Sequence, residues 1–158
     1  MSDAPHVVVI TGLSGAGRST ALRVLEDAGF FCVDNLPPGL ASELLALVGR
    51  EGNLGRVGLG IDVRTGAFLS GAEETLSELE ASGHRVQVIF LDCADDVLVR
   101  RFSETRRPHA LAGKGDLHSA IAGERERLAG LRARADIVID TSGVYGNHRW
   151  MGQGGLPR

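Results

Sequence analysis

The stretch Gly12-Leu13-Ser14-Gly15-Ala16-Gly17-Arg18-Ser19, directly behind the apolar run Val7-Val8-Val9-Ile10, constrains the fold more than any other part of the chain. It follows the phosphate-loop pattern G-x-x-x-x-G-K-[ST] at every defined position but one, where Arg18 stands for the lysine. In such a loop a buried strand ends and glycines let backbone N–H groups curl around an anion. A helix then begins with the positive end of its dipole toward that anion. The flanks agree. Val7 to Ile10 is β-branched and reads as a buried strand, and residues 19–27 carry Leu22 and Leu25 on one helical face before Gly29 stops them. A tight connection alone would account for the glycines, but not for both flanks and Ser19 together.

Arg18 keeps the lysine's charge and can fork onto phosphate oxygens, yet it is bulkier and does not act as a compact point charge. The chain carries sixteen arginines and a single lysine, Lys114, so the replacement follows the composition of the whole sequence. The expectation is that nucleotide binding survives and that hydrolysis or transfer is slow.

Four further apolar runs read as strands: Phe30 to Asn35, Val57 to Arg64, Val86 to Asp92 and Ala135 to Ser142. Between them, helical spacing covers Leu40 to Val48 (through Leu40, Leu44, Leu47 and Val48), Ala72 to Ala81, Val97 to Phe102 behind Asp95-Asp96, and Leu117 to Arg132. Pro108, Gly113 and Gly115 make 106–116 a loop. Five strands alternating with helices predict a parallel sheet with helices on both faces and a ligand crevice at the carboxyl ends of the strands. Polar residues gather at those ends: Asp34-Asn35, Asp62 to Thr65, Asp92 and Asp140-Thr141-Ser142.

The chain's 158 residues suffice for one domain with a sizeable core, and its 43% apolar and 23% charged content is that of a globular protein. A net charge of −3 gives no general attraction to nucleic acid, so an RNA contact would need a local basic patch. Cys32 and Cys93 lack metal-ligand spacing and read as buried thiols in a reducing compartment. No run approaches the roughly twenty apolar residues of a membrane span, and the N-terminus does not read as a signal peptide. Cytoplasmic location, without membrane contact, is the expectation.

The segments Gly12 to Gly17, Leu25-Glu26-Asp27-Ala28-Gly29-Phe30 with Val33-Asp34-Asn35-Leu36-Pro37, Asp62-Val63-Arg64, Arg100 to Arg107 and Asp136 to Ser142 together resemble the RapZ-type nucleotide-binding proteins, the RNase adapter proteins. The likeness runs from Val7 to about Ser142, and the E-D-x-G-F…V-D-N-L-P combination is its most specific part. It implies a kinase-like P-loop NTPase domain with ATPase and GTPase activity. It also implies ATP binding at Gly12, Leu13, Ser14, Gly15, Ala16, Gly17, Arg18 and Ser19, and guanine-nucleotide binding at Asp62, Val63, Arg64 and Thr65. Some proteins of this kind bind small regulatory RNAs and deliver them to an RNase in control of amino-sugar synthesis. Two departures stand out: Arg18, and the lack of a counterpart after Ser142 to the second domain that carries RNA and sugar-phosphate binding. The expected organisation is a nucleotide-binding domain over 7–142 and a disordered or aberrant tail over 143–158, as a truncated or frameshifted gene would leave. Small RNA and RNase are then expected partners only with the second domain present. The oligomeric state stays open.

Phosphoryl transfer is mostly positioning and charge stabilisation. On that logic the backbone of Leu13 to Arg18 cradles the phosphates, the Arg18 side chain reaches the β/γ oxygens, and the Ser19 hydroxyl ligates Mg2+. Asp92 is the candidate catalytic and metal carboxylate, with Asp34 as alternative. Arg101, Arg106 and Arg107 read either as a lid over the phosphates or as a solvated helix end. Arg125, Arg127, Arg132 and Arg134 alternate with Glu124 and Glu126 as a charged helix face. Three function classes follow: a weakly hydrolysing regulator first, a small-molecule kinase second and an RNA adapter third.

Overall fold

Every apolar run singled out above becomes a strand, and because each is separated from the next by a helix, the strands pair in parallel. The structure, a computed structural model, describes residues 5–50, 55–61, 66–105 and 116–143. In chain order these form β1 (His6–Gly12), α1 (Arg18–Asp27), β2 (Phe31–Leu36), a 3-10 turn (Pro38–Leu40), α2 (Ala41–Arg50), β3 (Arg56–Ile61) and α3 (Gly66–Ala81). β4 (Arg85–Asp92), α4 (Asp95–Thr105), α5 (Leu117–Arg127), α6 (Ala129–Arg134) and β5 (Ile137–Asp140) follow. The sheet order is β2-β3-β1-β4-β5, parallel throughout. β1 is therefore central, and its exit at Gly12 places the glycine-rich loop at the middle of the sheet's carboxyl edge.

The register shows why both faces are covered. Val8 and Ile10 pair with Gly58 and Gly60 on one face, where Leu22 and Leu25 of α1 press onto the two glycines. On the other, Val9, Thr11 and Ile61 meet Ala72 and Leu76 of α3 and Leu131 of α6. Buried on both sides, β1 and β4 read as continuous apolar runs, with Val7 to Ile10 and Val88 to Leu91 almost wholly withdrawn from solvent. Each fully buried Val, Leu, Ile or Phe among them contributes about 1.5–3 kcal/mol relative to exposure.

Three helices differ from the sequence expectation, and the first, α3, begins at Gly66 and not at Ala72. The predicted helix 40–48 forms as α2, but its inward residues are Ala41, Leu45 and Val48, while Leu40 and Leu47 stand exposed. The 3-10 turn at Pro38–Leu40 ends before α2 begins, so the helical phase is set from Ala41 and not from Leu40. The predicted helix 117–132 is two helices, broken at Leu128 (φ −90°, ψ 0°), whose side chain is buried. Of the expected loop 106–116 only Asp116, the N-cap of α5, is among the described residues, and the tail from 144 lies outside them.

Candidate nucleotide-binding site

The loop between β1 and α1 is shaped by glycines. Gly12 takes φ 143°, and a Cβ there would overlap the Leu91 carbonyl of β4, to which Leu13 N–H donates at 3.2 Å. Only glycine lets the chain leave β1 so close to β4. Gly17, the N-cap of α1, is left-handed at φ 107° and turns the next N–H groups inward.

The loop's carbonyls are tied from outside. Thr141 Oγ1, just past β5 and buried, donates to Ala16 O at 2.7 Å. Arg101 of α4 donates through one nitrogen to Gly15 O at 3.0 Å and through another to Thr141 O at 2.5 Å. Ala16 N–H donates to Leu13 O at 3.0 Å. Among the described residues no acceptor meets the N–H groups of Gly15, Gly17, Arg18 and Ser19. Carbonyls fixed outward and N–H groups left inward, at the start of a ten-residue helix, make an anion-binding nest.

Beside this nest, the end of β2 supplies a carboxylate. Asp34 Oδ1 is 3.1 Å from Arg18 Nε, and Ser19 Oγ donates to Asp34 Oδ2 at 3.5 Å. The Arg18 fork also donates to Asn35 Oδ1 at 2.8 Å and to Ile61 O at 3.3 Å, so all three guanidinium nitrogens point to the ends of β2 and β3. Asn35 has φ 55°, a left-handed conformation asparagine tolerates, and this turns its amide toward Arg18. Asp34 reaches across because β3 carries Gly60, where a Cβ would overlap its Oδ1.

Asp92, at the end of β4, is held elsewhere. Arg125 of α5 donates to its Oδ1 at 2.7 Å and Arg132 of α6 to its Oδ2 at 3.3 Å, while Arg125 also bonds Cys93 O and Asp95. Burial pushes the Asp92 pKa up, but the hydrogen bonds from Arg125 and the Cys93 N–H, the Arg125 charge and the Arg132 contact outweigh it. The carboxyl therefore sits below its ordinary value. Asp140 is lowered as well, by the Ser142 hydroxyl and N–H.

The structure thus brings Gly12 to Ser19 and Asp34 together, and places Asp92 among arginines on the other side of the loop. Asp62, Val63, Arg64 and Thr65, like Arg106 and Arg107, lie outside the described residues. Sequence reasoning placed Thr141 at the crevice without giving it a role, and missed the burial of Glu124 and the pairing of Arg125 and Arg132 with Asp92. Glu124 carried a signal: it falls in the spacing Ile121, Glu124, Leu128, Leu131, a carboxylate on an apolar stripe, and it is nine-tenths buried. Among the described residues no cluster of three or more His, Cys, Asp or Glu could hold a metal by itself, and no helix is long and apolar enough to cross a membrane.

A parallel sheet of this order, with a glycine nest where its central strand meets a helix, defines a P-loop protein of the kinase-like class. Solved structures share the fold: a shikimate kinase from Bacteroides thetaiotaomicron, with a TM-score of 0.58 at 17% identity over 92% of this chain and 90% of that one, and the tunicamycin resistance protein of Deinococcus radiodurans, with 0.62 at 18% over 90% of each. The chain belongs to the RapZ-like N-terminal domain family, whose model matches residues 6–148. Relatives named nucleotide-binding protein include one from Myxococcus xanthus, 52% identical over 89% of this chain and 49% of its own length, and one from Geobacter sulfurreducens, 55% identical over 87% and 48%. The chain spans about half the length of these relatives.

Proposed function

We propose that this chain binds a nucleoside phosphate with Mg2+ in the loop Gly12–Ser19 and turns it over slowly, as the nucleotide-sensing half of a regulatory protein. The observation that carries this is the nest of N–H groups at Gly15, Gly17, Arg18 and Ser19, in a loop whose Gly15 and Ala16 carbonyls are held by Arg101 and Thr141. The relatives' shared description as nucleotide-binding proteins supports it. ATP is assigned to this loop, and a guanine nucleotide to Asp62–Thr65, the residues directly after β3.

Mg2+ fits the donors present. It takes one or two protein oxygens and leaves its other positions to phosphate and water, and Ser19 Oγ with Asp34 supplies that pair. Asp92 has both oxygens engaged by arginines, whereas Asp34, with Oδ1 held by Arg18 and the Asn35 N–H, turns Oδ2 to Ser19 Oγ, so the metal role is assigned to Asp34 and Asp92 anchors α5 and α6 to the sheet. When bound, the ion neutralises charge on the phosphate oxygens. Arg18 supplies the loop's side-chain cation, but its fork is spent on Asp34, Asn35 and Ile61 O. A guanidinium paired in this way adds positive charge beside the phosphates but no directed bond to the charge that develops in the transition state, hence slow turnover. The link to small RNA and an RNase is assigned to the full-length proteins.

A second reading, phosphoryl transfer to a small-molecule hydroxyl, rests on Asp34, whose partly exposed carboxylate at the end of β2 could take the acceptor's proton. Titration with a fluorescent ATP analogue, with and without Mg2+, tests the first reading: saturable binding is expected, and none at millimolar nucleotide would refute it. Turnover that is slow whatever acceptor is offered fits the regulator, and acceptor-dependent turnover fits the kinase.

A further inference from the structure

The third residue of the loop is already bound to an anion of the protein's own. Ser14 N–H donates to Glu124 Oε1 at 2.6 Å, and Ser14 Oγ donates to Glu124 Oε2 at 2.6 Å. Glu124 is only 7% exposed and sits on the face of α5 whose neighbours Ala120, Ile121 and Leu128 are in the core, so its carboxylate is held at Ser14 by packing as well as by hydrogen bonds. Arg125, the next residue, fixes the same helix to Asp92, Cys93 O and Asp95.

In a loop of this kind the N–H groups nearest the helix cradle the inner phosphates. Ser14 stands at the opposite end of the nest, five residues before Ser19, where the terminal phosphate of a bound triphosphate would lie. A carboxylate there takes the donors that a terminal phosphate would use and brings like charge against it. We infer that the Glu124–Ser14 pair is a selectivity element of the loop, a built-in anion that disfavours a nucleoside triphosphate relative to the diphosphate. The chain would accordingly respond to the diphosphate, the product of turnover, at concentrations where the triphosphate occupies the loop weakly. This rests on the nucleotide-binding reading above and adds a ligand preference to it.

Glu124→Gln tests the effect, because glutamine is isosteric, can accept from Ser14 N–H and donate to Ser14 Oγ, and so removes the charge while keeping both Ser14 contacts. The Kd values of Mg-ADP and Mg-ATP are measured by calorimetry for both proteins. The wild type is expected to bind ADP more tightly, and the ratio Kd(ATP)/Kd(ADP) to fall about tenfold in E124Q, the weight of one close like charge. If E124Q does not fold, Ser14→Ala removes the hydroxyl bond to the carboxylate and is expected to lower the same ratio by less. A wild-type ratio below one, or a ratio within twofold of wild type in the variants, overturns the inference. No binding of either nucleotide to the wild type refutes the nucleotide-binding reading instead.

Discussion

Gly60→Ala puts one methyl group where the structure has none to spare. The new Cβ would overlap Asp34 Oδ1 and lie 3.2 Å from Asp34 Cγ and 2.9 Å from Leu22 Cδ1. Leu22 is buried under α1, so the softer response is for Asp34 to swing away from Arg18 and Ser19. Overpacking of this size costs about 1–3 kcal/mol, which in a domain of this length lowers Tm by roughly 3–10 °C. Gly58→Ala is the matched control. Its Cβ would meet Cys32 Sγ at 2.7 Å and Leu25 Cδ1 at 3.1 Å, a lesser strain on the same strand that leaves Asp34 alone. Thermal unfolding should show a loss for both variants, the larger in G60A. Fluorescence titration should show that only G60A loses the enhancement of nucleotide affinity by Mg2+. Equal Mg2+ enhancement in G60A, G58A and wild type would refute the reasoning that Gly60 makes room for a metal carboxylate.

Two further outcomes follow from the same contacts. Thr141→Val removes the hydroxyl that donates to Ala16 O and accepts from Arg101, leaving a buried carbonyl unpaired; stability should fall by about 1–3 kcal/mol in urea unfolding, and loop amides should exchange faster. The Asp92 and Asp140 carboxyls lie below their ordinary 3.8 in the folded chain, so they stabilise it fully above that pH, and the stabilisation is lost as pH falls through the lowered folded values. Urea midpoints should therefore drop on acidification below about pH 4, less steeply in Asp92→Asn.

The phosphate loop was legible in the sequence because its glycines, its serine and its strand and helix flanks are local, and local pattern fixes local conformation. The strands were legible for the same reason, most clearly the central β1 and β4, where burial on both sides leaves continuous apolar runs such as Val88 to Leu91. What surrounds the loop was not. Asp34 and Asp92 both end a strand in the sequence, and only the sheet order, with β2 beyond β3 and β4 beside β1, combined with the space over Gly60, decides which one reaches Ser19. Arg125 and Glu124 look alike as members of an alternating charged run, yet the helix turns one to Asp92 and buries the other against Ser14. The phase of α2 was misread because the 3-10 turn before it shifts the starting point by one residue.

The central claim, that Ser19 and Asp34 form the metal side of a nucleotide site and Asp92 does not, is tested most directly by the Mg2+ dependence of nucleotide affinity in Asp34→Asn and Asp92→Asn. The account predicts that D34N loses the Mg2+ enhancement, about tenfold in Kd for one charge-assisted contact, while D92N keeps it despite its lower stability. Loss of the enhancement in D92N with its retention in D34N would contradict the account.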